Sequence, residues 1–251
     1  MPGRIEPSTI PYVDVHVHAV EYSDSDWKKI ESLGASIIVA VAEDVESSKA
    51  TLDLAESRHN VYPCIGIHPW NCTEARREDV DAINRLISRM KRPCIGEVGL
   101  DLKFVPQSIE KQREVFRRMV ELAVEYDAVL NLHAAGAWSE VFHVIDRLDV
   151  EKAVFHWYTG PLDLIRDITE RGFYISVNAA ARIQEKQRRV IEATPLEYIL
   201  SESDGPYQYR GIRLTTEMMP ELVQLVSKVK GVDRATVLEQ VWLNLKRLFE
   251  T

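Results

Sequence analysis

The chain has 251 residues, 45% of them hydrophobic and 28% charged, with a formal net charge of −8. A chain this long can bury a large core without disulfide or metal staples, and its length is usual for one α/β barrel. The acidic balance excludes broad, charge-driven nucleic-acid binding, which needs a basic surface, but it leaves room for a local phosphate site. The three cysteines, Cys64, Cys72 and Cys94, are few, odd in number and lack zinc-type pairing, so no disulfide framework is implied. Residues 1–11 are polar and punctuated by proline, unlike a signal peptide. The longest clean apolar run, 37–42, falls far short of the ~20 residues that cross a bilayer. A cytoplasmic protein with no membrane partner is therefore expected.

Short β-branched runs alternate with longer amphipathic stretches along the whole chain. A first strand is expected at 12–18 and a helix at 26–33, then a strand at 36–42 and a helix at 45–58. The strand at 61–67 is followed by a helix at 77–91, and the strand at 94–97 by a helix at 107–126. In that helix Val115, Met119, Leu122 and Val124 recur near helical spacing with charges between them. Strands at 129–133 and 153–156 lead into helices at 137–148 and 161–171, and Pro161 suits a first helical position. Strands at 173–177 and 198–201 precede helices at 184–194 and 217–230, and a last helix covers 234–249. Strands alternating with helices predict a parallel sheet. Eight such units in this length predict a single α/β domain over 1–251, a closed (β/α)8 TIM barrel. The alternative, a doubly wound open sheet, usually carries a Gly-rich phosphate loop after its first strand, and none is present here.

Five of the seven histidines, His16, His18, His68, His133 and His156, fall at the C-terminal end of an expected strand or just after it. Glu97 and Asp204 do the same, and barrel active sites form on that face. His16 and His18 are two apart on one strand, so they share a face, with Asp14 further down it. Alone, such a pair is equally well read as two hydrogen-bonded core histidines. Glu97 stands between Gly96 and Gly99 in Ile95-Gly-Glu-Val-Gly-Leu-Asp101, where a carboxylate could approach and bridge cations. After the eighth strand, Glu202 and Asp204 could both face the mouth, and Asp204 lies further toward the C-terminal face. Four histidines and two carboxylates suit zinc, manganese or iron, and magnesium at a carboxylate-rich site. Two such ions can share a bridging carboxylate and serve an in-line phosphoryl displacement, with an Asp beside them accepting a proton from water.

These stretches resemble the TatD family of metal-dependent deoxyribonucleases, within the amidohydrolase superfamily, over about 13–249. The resemblance rests on Asp14-Val-His16-Val-His18, Gly66-Ile-His68-Pro69, Gly96-Glu97-Val-Gly99-Leu-Asp101 and Leu132-His133. It continues through His156-Trp-Tyr-Thr-Gly160, Glu202-Ser-Asp204-Gly-Pro206-Tyr207 and Asn244 with Arg247-Leu-Phe249. It implies that His16 and His18 bind one metal, that Glu97 bridges, and that His133 and His156 hold the other. Asp204 would be ligand and general base, and His68 would contact the substrate phosphate or leaving group. The cofactors implied are two divalent ions, Mg2+, Mn2+ or Zn2+. The activity implied is phosphodiester hydrolysis, 3′–5′ exonuclease-like, on single-stranded DNA ends or short oligonucleotides. Arg210 and Arg213, just after Asp204, match an Arg-Gly-x-Arg run of the family and suit phosphate. Trp157, Tyr158 and Tyr207 could stack on a base or simply pack the loop. The sequence departs from the family pattern in Ala134-Ala135-Gly136 after His133, Trp157-Tyr158-Thr159 after His156, and Leu102-Lys103-Phe104 after Asp101. The metal shell is kept while the residues around it change, which leaves hydrolysis of a small cyclic amide or lactone as the alternative.

Overall fold

The computed structural model describes residues 10–250; the beginning of the N-terminal stretch read above as non-secretory, residues 1–9, lies outside the described residues. Eight strands alternate with helices: β1 (Tyr12–Val17), α1 (Asp24–Ser32), β2 (Ser36–Val41), α2 (Val45–Ser57), β3 (Val61–Cys64), α3 (Arg77–Ile87), β4 (Cys94–Gly99) and α4 (Ile109–Glu125) form the first half. The second half comprises β5 (Val129–His133), α5 (Trp138–Arg147), β6 (Ala153–Phe155), α6 (Leu164–Glu170), β7 (Tyr174–Asn178), α7 (Glu185–Ala193) and β8 (Ile199–Glu202). A short hairpin, β9 (Gln208–Tyr209) and β10 (Ile212–Arg213), precedes α8 (Met219–Lys230) and α9 (Arg234–Glu250).

The strands pair in parallel, β1-β2-β3 on one side and β4 through β8 in sequence order on the other. Two seams close the barrel. At one, Ile65 and Ile95 bridge, and Glu97 N–H donates to the Ala42 carbonyl at 2.7 Å. At the other, Asp204 N–H donates to the His16 carbonyl at 3.0 Å and His18 N–H to the Gly205 carbonyl at 2.8 Å. Val13, Val15, Ile38, Val39, Ile95, Leu130, Leu132, Val154, Ile175 and Ile199 are all buried, as expected where a parallel sheet is covered on both faces. The helices bury one stripe each; α4 buries Val115, Phe116, Met119, Val120, Leu122 and Ala123 but leaves Val124 exposed, because it falls on the outer face with Arg113 and Arg117.

Local chemistry accounts for the shifted boundaries. Helix α1 begins at Asp24 because Ser23 and Asp26 form a reciprocal capping box. Pro161 does not open α6; the helix starts at Leu164, whose N–H is accepted by the Asp163 carboxylate, while the Pro161 carbonyl accepts a hydrogen bond from the Tyr158 hydroxyl. The Arg210-Gly211 pair, both at positive φ, is the two-residue turn joining β9 to β10. The three cysteines are not all free: Cys64, ending β3, is bonded to Cys94, which opens β4, and only Cys72 is left as a buried thiol. The separation of 30 residues in sequence hides a Cα–Cα distance of 4.5 Å across the seam, so the expectation of no disulfide is corrected. Among the described residues, no helix is long and apolar enough to cross a membrane.

Candidate metal centre

Two irregularities in the barrel wall aim the ligands. The β1–β2 register slips between Asp14 and Val17, and the β4–β5 register slips between Ile95 and Val98. A bulge of this kind re-aims side chains. Asp14 therefore does not join His16: it binds Ser203 and Thr216, while His16 turns to Asn131 and Glu97. The glycines around Glu97 serve strand contact. A Cβ on Gly96 would lie 2.6 Å from Cβ of Asn131, and one on Gly99, at φ 149°, would lie 1.8 Å from the His133 carbonyl oxygen. Only glycine lets β4 press this closely on β5.

The Glu97 carboxylate is the centre of the arrangement. Its Oε2 is 3.2 Å from His16 Nε2 and 3.7 Å from His18 Nε2; Asp204 Oδ1 is 3.5 Å and 3.3 Å from the same two nitrogens. Its Oε1 faces the other group, at 2.6 Å from His133 Nδ1, 3.1 Å from His156 Nε2 and 3.3 Å from His68 Nε2. One oxygen thus serves each cluster. Three trios here could each hold a cation: His16 with His18 and Glu97, His16 with His156 and Asp204, and His68 with Glu97 and His133.

The residues behind the cage decide whether a cation fits. Asn131 donates its amide to the Val15 carbonyl at 2.8 Å, so its oxygen must accept from His16 Nδ1, also at 2.8 Å. That makes Nδ1 the donor and turns Nε2 toward the Glu97 and Asp204 carboxylates. This Nε2 is buried and makes no hydrogen bond, a costly state that a cation would relieve. Glu202, wholly buried, lies 3.4 Å from His156 Nδ1 and is itself bonded to Ser176 and Asn178. Asp101 accepts from His133 Nε2 at 3.1 Å. Asn131 and Asp101 turn the other ring nitrogen of His16 and His133 toward Glu97, and His156 Nδ1, buried without a hydrogen bond, faces Glu202 while its Nε2 faces Glu97. The donor set fits divalent cations.

The electrostatics agree. Burial would raise the Glu97 carboxyl, but His68, His16 and His156, with the bond from His133, hold it well below the ordinary carboxylate range. Burial opposes the same change at Asp204, where His18 and the other imidazoles prevail and its pKa falls. Burial would lower His18, yet Asp204 and Glu97 push it up to about 9. His156 is raised well above its usual value against its burial by Glu97 and Glu202, and His133 is raised by Asp101 and Glu97. His68 goes the other way, lowered chiefly by burial. Without a cation, protons on imidazoles balance the carboxylates; metal binding at such a site displaces them.

Of the residues singled out in the sequence, His16, His18, His68, Glu97, His133, His156 and Asp204 converge here, and Trp157 and Tyr207 line the cavity above them. Three do not line it. Tyr158 is wholly buried beneath, Arg213 grips Asp26 at 2.7 and 3.0 Å, and Arg210 lies over the Tyr209 ring. Sequence reasoning missed Asn131, the role of Glu202, and Glu43 and Lys103 of the lining. Asn131 had a signal: a polar residue two before His133 in an apolar strand shares its face.

The chain matches the family described as TatD related DNase over residues 13–250. It is 25% identical over 250 residues to an uncharacterized metal-dependent hydrolase of Methanocaldococcus jannaschii, covering 96% of this chain and 98% of that one. It is 27% identical over 200 residues to the deoxyribonuclease Tat-D of Schizosaccharomyces pombe, covering 73% of this chain and 64% of the relative. The fold is that of a TatD homolog from Escherichia coli K12, with a TM-score of 0.86 at 22% identity over 96% of this chain and 98% of that one. With the family match running from the first strand into the last helix and a metal-ligand cage at its centre, the chain belongs to the TatD-related DNase family and is a divalent-metal-dependent hydrolase of that type.

Proposed function

We propose that this protein hydrolyses phosphodiester bonds at the ends of single-stranded DNA or in short oligonucleotides, with two divalent ions, Mg2+, Mn2+ or Zn2+, in the cage. The observation that carries the reading is the division of the Glu97 carboxylate, one oxygen toward His16 and His18 and the other toward His133, His156 and His68. Bound ions would supply Lewis acidity toward a phosphoryl oxygen and lower the pKa of an attacking water. Asp204 Oδ1 sits at the rim of the cage, within 3.3 Å of His18 Nε2, where it accepts the proton of that water. His68 is held by the Trp70 N–H donating to its Nδ1 at 3.2 Å, which leaves Nε2 facing Glu97 and the cavity for the substrate phosphate or leaving group. The net charge of −8 favours short ends over tight binding along a duplex.

A second reading, hydrolysis of a small cyclic amide or lactone, is favoured by one feature: Ala134 and Ala135 line the cavity while Arg210 and Arg213 do not. The test is hydrolysis of a single-stranded oligonucleotide beside an amide and lactone panel, with Mg2+, Mn2+ and Zn2+ in turn. Nucleotide release that disappears in Asp204→Asn supports the phosphodiesterase; turnover confined to the panel replaces it. A cytoplasmic location belongs to the same proposal. It requires the Cys64–Cys94 disulfide to persist in a reducing compartment, which alkylation of free thiols in intact cells checks.

A further inference from the structure

We propose that the cavity grips the two nucleosides flanking the scissile phosphate between two aromatic walls, with Lys103 holding an adjoining phosphate; this rests on the phosphodiesterase reading. The first wall is Trp70 and Phe104, ring centroids 6.0 Å apart and 46% and 56% exposed. It hangs from Asp101. One oxygen of that carboxylate accepts the backbone N–H groups of Lys103 and Phe104, at 2.8 and 2.7 Å. The other accepts the Trp70 indole N–H at 2.6 Å and His133 Nε2 at 3.1 Å. The wall is therefore fixed to the same carboxylate that orients a candidate metal ligand, and Trp70 also packs edge-on to His68 at 5.4 Å.

The second wall, Trp157 with Tyr207, lines the same cavity, ring centroids 6.0 Å apart, and Trp157 directly follows His156 in the chain. Its indole N–H is also occupied, donating to Gln184 at 2.9 Å. With both indole donors satisfied inside the protein, the walls offer π faces and no specific hydrogen bond from those rings. That is a surface for stacking a planar base without reading its identity.

Lys103 supplies the charge. It lines the cavity, its ammonium lies 4.8 Å from the Phe104 ring centroid, and among the described residues no carboxylate pairs with it. Of the anion clamp expected from Arg210 and Arg213, Arg213 is spent on Asp26 and Arg210 lies over the Tyr209 ring outside the cavity lining; among the described residues, Lys103 is the lysine or arginine that lines the cavity. The chemical class recognised is an unpaired dinucleotide step.

The experiment compares a short oligothymidylate with the same strand made abasic at either nucleoside flanking the cleaved bond, using Mn2+-loaded protein. Wild type should lose roughly tenfold in kcat/KM at each abasic position, and Phe104→Ala should lose the discrimination at one of them with its metal content unchanged. Lys103→Met should reduce the slope of log kcat/KM against log salt by about 0.7, one phosphate contact on a single strand. Equal cleavage of intact and abasic strands by wild type, or discrimination retained in Phe104→Ala, overturns the inference and leaves the phosphodiesterase reading standing. Failure of wild type to cleave either strand overturns that reading and the inference with it.

Discussion

Asp14 touches none of the ligands, yet replacing it should disable the site. Its carboxylate is wholly buried and accepts three hydrogen bonds, from Ser203 N–H at 2.8 Å, Ser203 Oγ at 2.6 Å and Thr216 Oγ1 at 2.7 Å. Ser203 Oγ accepts in turn from Gly205 N–H at 3.1 Å. Both neighbours of Asp204 are thus tied to one buried anchor, and Asp204 itself holds φ at 60°, a conformation a non-glycine residue keeps only under constraint. In Asp14→Ala the two hydroxyls can find new partners but the Ser203 N–H cannot rotate. One stranded buried donor costs about 1–3 kcal/mol and the lost bonds about 1 kcal/mol more, for a total of about 2–4 kcal/mol. A shift of the Asp204 carboxylate by about 1 Å would lower turnover roughly 100-fold. Asp14→Asn keeps an acceptor for Ser203 and should retain most stability. Burial raises the Asp14 pKa to about 7 despite its hydrogen bonds. A raised carboxyl contributes stability below its unfolded pKa and loses it as pH rises toward 7. Asp14→Asn should therefore gain on wild type as pH climbs from 5 to 8. Urea unfolding across pH, with kcat/KM and metal content of each variant, measures all of this. Wild-type stability and turnover in Asp14→Ala would refute the reasoning.

Glu97→Ala should lower metal content sharply, since one carboxylate oxygen faces His16 and the other His133; elemental analysis after gentle purification that finds unchanged occupancy removes Glu97 as a ligand. Asp204→Asn should retain substantial metal while turnover is lost, and near-normal turnover removes Asp204 from proton transfer. Arg213→Ala should cost stability and not substrate affinity, because its guanidinium is bound to Asp26; a raised KM at unchanged stability contradicts this. Arg213 and Ser23 hold the Asp26 carboxyl well below the ordinary range. Asp26→Asn should therefore destabilise by about 1 kcal/mol at pH 7. Because the folded pKa is depressed, that gap should narrow as pH falls through about 4, as thermal melts would show. Denatured, unreduced protein should titrate one thiol, that of Cys72, and reduction should expose the pair.

Strand and helix order, and the strand-end placement of His16, His18, Glu97, His133, His156 and Asp204, were legible in the sequence. Hydrophobic periodicity is local, and a barrel brings the C-terminal ends of its strands to one face whatever the loops do. What depends on register was not legible. The two bulges send Asp14 to Ser203 while His16 turns to Glu97, a separation that alternation along a flat strand does not contain. The pairing of Cys64 with Cys94, the bond from Asn131 that turns His16 Nε2 toward Glu97 across the barrel, and the carboxylate of Asp101 shared by Trp70 and His133 all join residues far apart in the chain. Arg213 looked like a phosphate clamp because it follows Asp204, but the hairpin folds it onto α1 and its charge is met by Asp26. Sequence alone determined which residue types reach the mouth of the barrel. Only the tertiary structure decided which of them face one another, because a hydrogen bond or a metal site needs a match of a few tenths of an ångström between segments far apart in the chain.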